Sequence, residues 1–333
     1  MPVINIELED LNRMLKSPIS SADFSKIIPE IGADPDEIGK NEATIEFFPD
    51  RPDLLSTEGV ARAVRAFTEQ KLGLVVYDTK PASTHMVVSP DVLKIRPFVL
   101  GGIARGVKLD DTSIKSLMEL QEKLHVTLGR KRKKVSIGIH DLSKLKAPFN
   151  YGTCSPHEPA FIPLQKDYEM TPEEILNEHP KGMEYAHLLE DFKKYPLITD
   201  TNGEVASLPP IINGVLTTIT KKTKEVLIDV TGLEQEAVEA CLNIVAAALV
   251  ERGGEIEQLE IRYPSEKIIV PRMEPKIHKI KNDYLVSLLG FDPGNFAIFK
   301  AFRKCAMEPD LKDDIWHVKV PAYRADILHP IDL

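Results

Sequence analysis

Residues 224–263 restrict the possible folds most. KEVLIDV (224–230) alternates, with Val226, Ile228 and Val230 on one face and Leu227 and Asp229 on the other, the period of a strand. Val238, Cys241, Leu242, Val245 and Leu249 then recur at helical spacing, and Gly253-Gly254 ends the run. EIEQLEIRY (255–263) reads as a second strand. Upstream, FVLGGIARGV (98–107) reads as a strand, and Asp111 or Thr112 can cap a helix striped by Ile114, Leu117, Met118 and Leu124. VSIGIHDL (135–142) has little polar interruption, so it reads as a strand buried on both faces. Thr171-Pro-Glu-Glu174 is a helix start with a capping-box partner at Glu174. Together these place 81–268 in one mixed α+β domain.

The flanks read differently. In 1–80, Leu8, Leu11, Met14 and Leu15 keep helical spacing, ATIEFF (43–48) is a short strand, and Ser56–Leu72 is a helix stopped by Gly73. Weak periodicity and two prolines in 75–93 mark a boundary. In 269–333, two short helices (283–289 and 293–306) precede WHVKVPAYRADI, a spacing that suits a winged-helix-like module. The expected fold is therefore multi-domain α+β: a small N-terminal α/β domain, a larger central domain and a partial C-terminal module.

Composition narrows function. With 42 Lys and Arg against 51 Asp and Glu, the formal charge is −9, so the overall field does not favour nucleic acid and any RNA contact must be local or supplied by a partner. No apolar run reaches the ~18 residues of a membrane span, and the start lacks a signal-peptide pattern, which points to the cytoplasm. Cys154, Cys241 and Cys305 stand far apart, as buried or inert thiols rather than a metal or disulfide framework.

Several residues invite a chemical reading beside a plain one. The basic run Arg130–Lys134 can face phosphates or simply water. His140 and Asp141 are an acid–base pair only if they meet, yet neighbours on a strand point to opposite faces. Asp229 and Thr231, two apart, can offer an acceptor and a hydroxyl to one ligand, or can cap the next helix through Thr231–Glu234. Ser207 and Asn213 bracket Leu-Pro-Pro-Ile-Ile and can line the same crevice. Asp326 and Asp332 are either surface acids or part of a magnesium site. Phosphate-loop, nucleophile-elbow and zinc-helix motifs are absent.

Four segments in order carry a resemblance. Phe48–Arg62 (FPDRPDLLSTEGVAR) resembles an NRPDLLS-EGIAR signature, with Asp50 where Asn is usual; Glu119–Asp141, Leu208–Asn213 with Asp229–Gly232, and Val320–Ile327 with Asp332 follow. Together they resemble the beta chain of phenylalanyl-tRNA synthetase of the archaeal and eukaryotic branch. The resemblance implies an (αβ)₂ heterotetramer that charges tRNA(Phe) with phenylalanine using ATP and magnesium, with synthesis in the alpha chain. It implies that the central domain edits, hydrolysing Tyr-tRNA(Phe) in a pocket lined by Ile198, Ser207, Asp229 and Thr231 with Asn213 nearby. Gln121, Arg130 and His140 would stand around the terminal adenosine, with Asn213 and His140 the candidates for catalysis. Asp326 and Asp332 would contribute to a magnesium site. A positioned water would attack the ester, because no covalent nucleophile is evident. The rival expectation is a docking scaffold for tRNA and the alpha chain, with a vestigial pocket.

Overall fold

The computed structural model describes residues 2–333. They form two compact units: residues up to Tyr77 together with Met273–Leu333, and Asp78–Arg272 inserted between them in sequence. The segments expected as first and third domains thus contribute to one unit.

The first unit opens with β1 (Val3–Glu7), α1 (Leu8–Met14), α2 (Ser21–Glu30), β2 (Ala33–Ile38), β3 (Glu42–Phe47) and α3 (Thr57–Phe67). Strand β3 is central in an antiparallel sheet of order β1-β3-β2, and its alternate residues Ala43, Ile45 and Phe47 are buried. Helix α3 starts where Ser56 Oγ accepts the Gly59 N–H at 3.2 Å. It ends at Phe67 rather than Leu72, because the Thr68 hydroxyl donates to the Val64 carbonyl and Glu69 turns to φ +62°.

The inserted unit contains β4 (Thr79–Lys80), β5 (His85–Val88), β6 (Phe98–Arg105), α4 (Asp111–Val126), β7 (Val135–Asp141), β8 (Phe149–Cys154), α5 (Pro172–Glu178), α6 (Pro180–Tyr185), β9 (Tyr195–Thr199), β10 (Val205–Leu208), β11 (Ile212–Asn213), β12 (Glu225–Gly232), α7 (Gln235–Glu251), β13 (Glu255–Arg262) and β14 (Lys267–Val270). Its strands form one sheet, ordered β11-β10-β9-β8-β5-β13-β6-β12-β7, with β14 and β4 also on β13. Strand β12 runs antiparallel to β6 along its whole length and to β7 from Val226 to Gly232. Its even-numbered face turns to α7: a Cβ on Gly232 would stand 2.5 Å from Val238 Cγ2. The opposite face, with Leu227, Asp229 and Thr231, is therefore free to build something else.

Two helix starts differ from expectation. Helix α4 is capped by Asp110, whose carboxylate accepts the Ser113 N–H, while the Ser113 hydroxyl returns to the Asp110 backbone. Thr231 caps nothing: α7 begins at Gln235, and Glu234 at its N-cap makes no capping bond. The Thr171–Glu174 capping box forms as read.

The chain then returns to the first unit through β15 (Lys276–Lys281), α8 (Asn282–Leu289), α9 (Asn295–Lys304), β16 (Glu308–Lys312) and β17 (Ile315–Val320). The strands pair antiparallel as β15-β17-β16, over a core that includes Ile280, Phe302, Trp316 and Val318. Residues from 48–62 and 320–327 meet in this unit. Arg51 forks onto Asp53 at 2.9 and 3.0 Å, Arg324 forks onto Asp326 at 2.8 and 2.6 Å, and the Arg62 guanidinium lies 3.8 Å from the Tyr323 ring centroid. Burial alone would raise the Asp53 carboxyl, but the Arg51 charge and hydrogen bonds hold it below the usual carboxylate range.

Among the described residues, no helix is long and apolar enough to cross a membrane. Cys154 and Cys241 are buried, and burial pushes their thiols up to about 11 and about 12, whereas Cys305 is exposed.

Candidate functional site

A cavity of about 370 Å³ opens beside the free face of β12, between α4, β7 and the 207–219 segment. The register of β7 against β12 sets its floor: Ser136 lies opposite Thr231, Gly138 opposite Asp229, and His140 opposite Leu227, all on one face. Gly138 has no side chain to fill the space between its neighbours, so Asp229 and His140 close over it. His140 Nε2 lies 2.6 Å from Asp229 Oδ2, and His140 Nδ1 lies 2.8 Å from Thr217 Oγ1. All three side chains are buried. Asp141 points the other way, to Ser143 and Thr223, so the His140–Asp141 pair does not form.

The cavity wall is Ser207–Asn213. Ser207 pairs with Asn213 across β10 and β11, and both line the cavity. The Ser207 hydroxyl is buried and has no hydrogen-bond partner among the described residues. Gln121, on α4, lines the cavity and donates to the Ile137 carbonyl at 2.7 Å. Ile198 is fully buried in β9, beside Ser207 in the sheet register, and is not among the cavity-lining residues.

Thr231 also stands behind the cavity rather than on its surface. Its hydroxyl accepts from Arg96 Nε at 2.8 Å and lies 2.9 Å from Ser136 Oγ, and it is Ser136 that reaches the lining. Arg96 is buried and also donates to the carbonyls of Thr231 (2.8 Å), Arg132 and Lys133 (3.2 Å each). Burial lowers its guanidinium to about 10. It therefore ties the loop before β7 to the end of β12.

That loop reorders the basic run. Arg130, Lys131 and Arg132 all have positive φ (46°, 53° and 64°), and this sharp turn leaves Arg130 exposed while Arg132 swings inward. Arg130 is not among the cavity-lining residues; Arg132 is. Arg132 donates to the Ile211 carbonyl at 2.7 Å and to Glu122 Oε1 at 2.6 Å, with its guanidinium 4.6 Å from the Tyr185 ring centroid. Burial pushes the Glu122 carboxyl up, but His125 and the Arg132 charge outweigh it and hold it at about 2. His125 is buried and accepts the Ile137 N–H through Nε2 at 2.9 Å; burial lowers its pKa. Arg96, Thr217 and Gly138 were not singled out from the sequence. The one available signal was a lone arginine between Ile95 and Pro97 at the entry to an apolar strand.

The two acids expected at magnesium are both engaged within the chain. Both Asp326 oxygens accept from Arg324, and Asp332 Oδ2 accepts the N–H groups of Leu328 (2.9 Å) and His329 (2.7 Å). Among the described residues, no three His, Cys, Asp or Glu side chains group to hold a metal ion.

A family model described as the B3/4 domain matches residues 104–262, which cover the cavity, and one described as the tRNA synthetase B5 domain matches 278–333. These matches define the class: a chain built from tRNA synthetase modules. The phenylalanine–tRNA ligase beta subunits of Methanosarcina acetivorans and Methanocaldococcus jannaschii are 47% and 39% identical over the whole chain. The crystal structure of an N-terminal fragment of the Pyrococcus horikoshii phenylalanyl-tRNA synthetase beta subunit superposes with a TM-score of 0.95 at 36% identity, covering 99% of this chain and 97% of that one. The chain belongs to the phenylalanyl-tRNA synthetase beta-subunit family. It spans 61% of the length of each of these two curated relatives.

Proposed function

We propose that the Asp78–Arg272 unit is an editing esterase that removes tyrosine wrongly esterified to tRNA(Phe), within a beta subunit that partners an ATP-consuming alpha subunit. The observation that carries this reading is the pairing of an apolar cavity with two polar groups prepared for a hydroxyl: the buried, unpartnered Ser207 Oγ and the Asp229 carboxylate.

The energetics favour such a division of labour. A synthetic pocket cannot strongly reject an analogue that merely adds a hydroxyl, whereas a site that must hydrogen-bond the hydroxyl rejects the analogue lacking it by about 10⁴–10⁵. Asp229 accepts the phenol O–H, and Ser207 can donate to or accept from the same oxygen. Phenylalanine entering this cavity would leave Ser207 Oγ and Asp229 Oδ1 unpaired, at about 1–3 kcal/mol each. The aromatic ring lies against Ile137, Ile139 and Ile211, which line the cavity. Hydrolysis then requires a water placed against the ester carbonyl. The water oxygen bonds to the carbonyl carbon, the bond to the ribose oxygen breaks, and the proton passes to that leaving oxygen. The chain contributes placement and water exclusion rather than a covalent nucleophile.

The test is deacylation of Tyr-tRNA(Phe) and Phe-tRNA(Phe) by this 333-residue chain. Rapid loss of tyrosine with phenylalanine spared supports the reading; equal or negligible loss of both overturns it.

A further inference from the structure

We infer that Thr217 is a specificity-positioning residue: its hydroxyl fixes the His140 ring, and the ring in turn fixes which oxygen of Asp229 reads the ligand. The inference rests on the editing reading above and assigns Thr217, which lines the cavity, a role through its hold on His140.

Hydrogen-bond capacity decides which ring nitrogen carries the proton. Asp229 Oδ2 is a carboxylate acceptor 2.6 Å from His140 Nε2, so Nε2 carries the proton of that bond. The other ring nitrogen, Nδ1, is 2.8 Å from Thr217 Oγ1. A ring held at only one nitrogen can turn about its χ2 bond; a ring held at both cannot turn without breaking one of them. With Nε2 protonated, Nδ1 is the acceptor and takes the single Thr217 hydroxyl proton in preference to the Gly214 carbonyl 3.3 Å away, so the chain of bonds runs from Asp229 on β12, through β7, into the wall segment that carries Asn213. His140 is fully buried, and among the described residues Thr217 alone holds Nδ1. With Oδ2 committed to His140, Asp229 presents Oδ1, and no hydrogen bond of the described residues engages that atom.

The chain also ties the reading group to the cavity wall. Arg132 holds the wall from the other side, through the Ile211 carbonyl. The wall is therefore fastened at Ile211 by a guanidinium and at Thr217 by an imidazole. Only the second fastening ends on the carboxylate that would meet the phenol. Substitution of Thr217 should thus alter discrimination between tyrosine and phenylalanine, not merely the ease of folding.

The test compares the intact chain with Thr217→Val, which keeps the shape and removes the hydroxyl, and Thr217→Ser, which keeps the hydroxyl. Three readouts are taken: kcat/KM for Tyr-tRNA(Phe) and Phe-tRNA(Phe), calorimetric binding of free L-tyrosine against L-phenylalanine, and ¹⁵N shifts of the His140 ring. Thr217→Val is expected to lower the tyrosine-to-phenylalanine ratio about tenfold, weaken L-tyrosine binding alone, and shift the Nδ1 resonance, with Thr217→Ser restoring all three. Equal loss on both esters, or failure of serine to restore the ratio, overturns the inference and marks Thr217 as structural. An unchanged ratio in Thr217→Val overturns it while leaving the editing reading intact. Parent protein that neither hydrolyses nor binds tyrosine selectively removes the editing reading itself, and this inference with it.

Discussion

Gly138→Ala tests the floor of the cavity most directly. A Cβ at Gly138 would stand 2.0 Å from Asp229 Oδ2 and 2.5 Å from His140 Nε2. An ordinary carbon contact is about 3.5 Å, so the carboxylate must retreat by roughly 1.5 Å. The backbone cannot yield instead, because Gly138 sits mid-ladder, with β7 paired to β12 from Val135 to Asp141. What gives is the Asp229–His140 hydrogen bond, about 1.5–3 kcal/mol for a buried bond to a charged group, with about 1 kcal/mol more for crowding. A total near 3 kcal/mol corresponds to a fall in unfolding temperature of roughly 6–12 °C for a unit of this size. Circular dichroism on heating reads that shift, and the same protein should lose its preference for the tyrosyl ester. A variant that melts within about 2 °C of the parent and still discriminates would refute the packing of Asp229 and His140 over this glycine.

Ser207→Ala removes a buried hydroxyl that has no partner; urea unfolding should show unchanged or slightly higher stability, by up to about 1 kcal/mol, while L-tyrosine binding weakens. Asp326→Asn breaks the fork to Arg324 and leaves a buried guanidinium, so the first unit should lose about 3–5 kcal/mol; because both acids are already engaged, millimolar magnesium should not move the melting temperature of the parent chain. Acid should weaken the inserted unit in two windows. The His125 pKa is lowered in the fold, so its contribution is complete above about pH 6.5 and is lost as pH falls below that; Glu122, held at about 2, adds a second loss between its ordinary value of 4.5 and about 2. Urea midpoints at pH 7.5, 5.5 and 3.5 check this, and His125→Gln should flatten the upper window.

What the sequence disclosed depended on how local the deciding force was. Strands β6, β7, β12 and β13 and helix α7 were legible because their periodicity is a property of contiguous residues, and Thr171–Glu174 because a capping box closes over four. Strands β15 and β16 were not: KIHKIK and EPDLK carry too few apolar residues, and Trp316 on β17 supplies much of the burial. At the site, Asp229 and His140 were named separately, and only the register of β7 on β12 shows that they touch. Of the two readings of Thr231, the cap is not realised, because Arg96, 135 positions away, takes the hydroxyl that would have capped α7. Arg132 was not named, because the three left-handed residues that turn Arg130 outward and Arg132 inward have no pattern in a run of lysines and arginines.

The insertion has a consequence for how the protein is made. Synthesis proceeds from the N-terminus, and the first unit cannot be completed until Met273–Leu333 has left the ribosome. At roughly 5–20 residues per second, the Asp78–Arg272 stretch imposes a wait on the order of 10–40 s. During it, β3 and α3 lack the segment that brings Tyr323 onto Arg62. The inserted unit, by contrast, is complete within its own stretch, and its two ends join it beside the same strand: Thr79 lies opposite Ile256, and Val270 opposite Leu259. A block whose entry and exit are neighbours can be cut from its host gene, or moved into another, without threading one chain through the other.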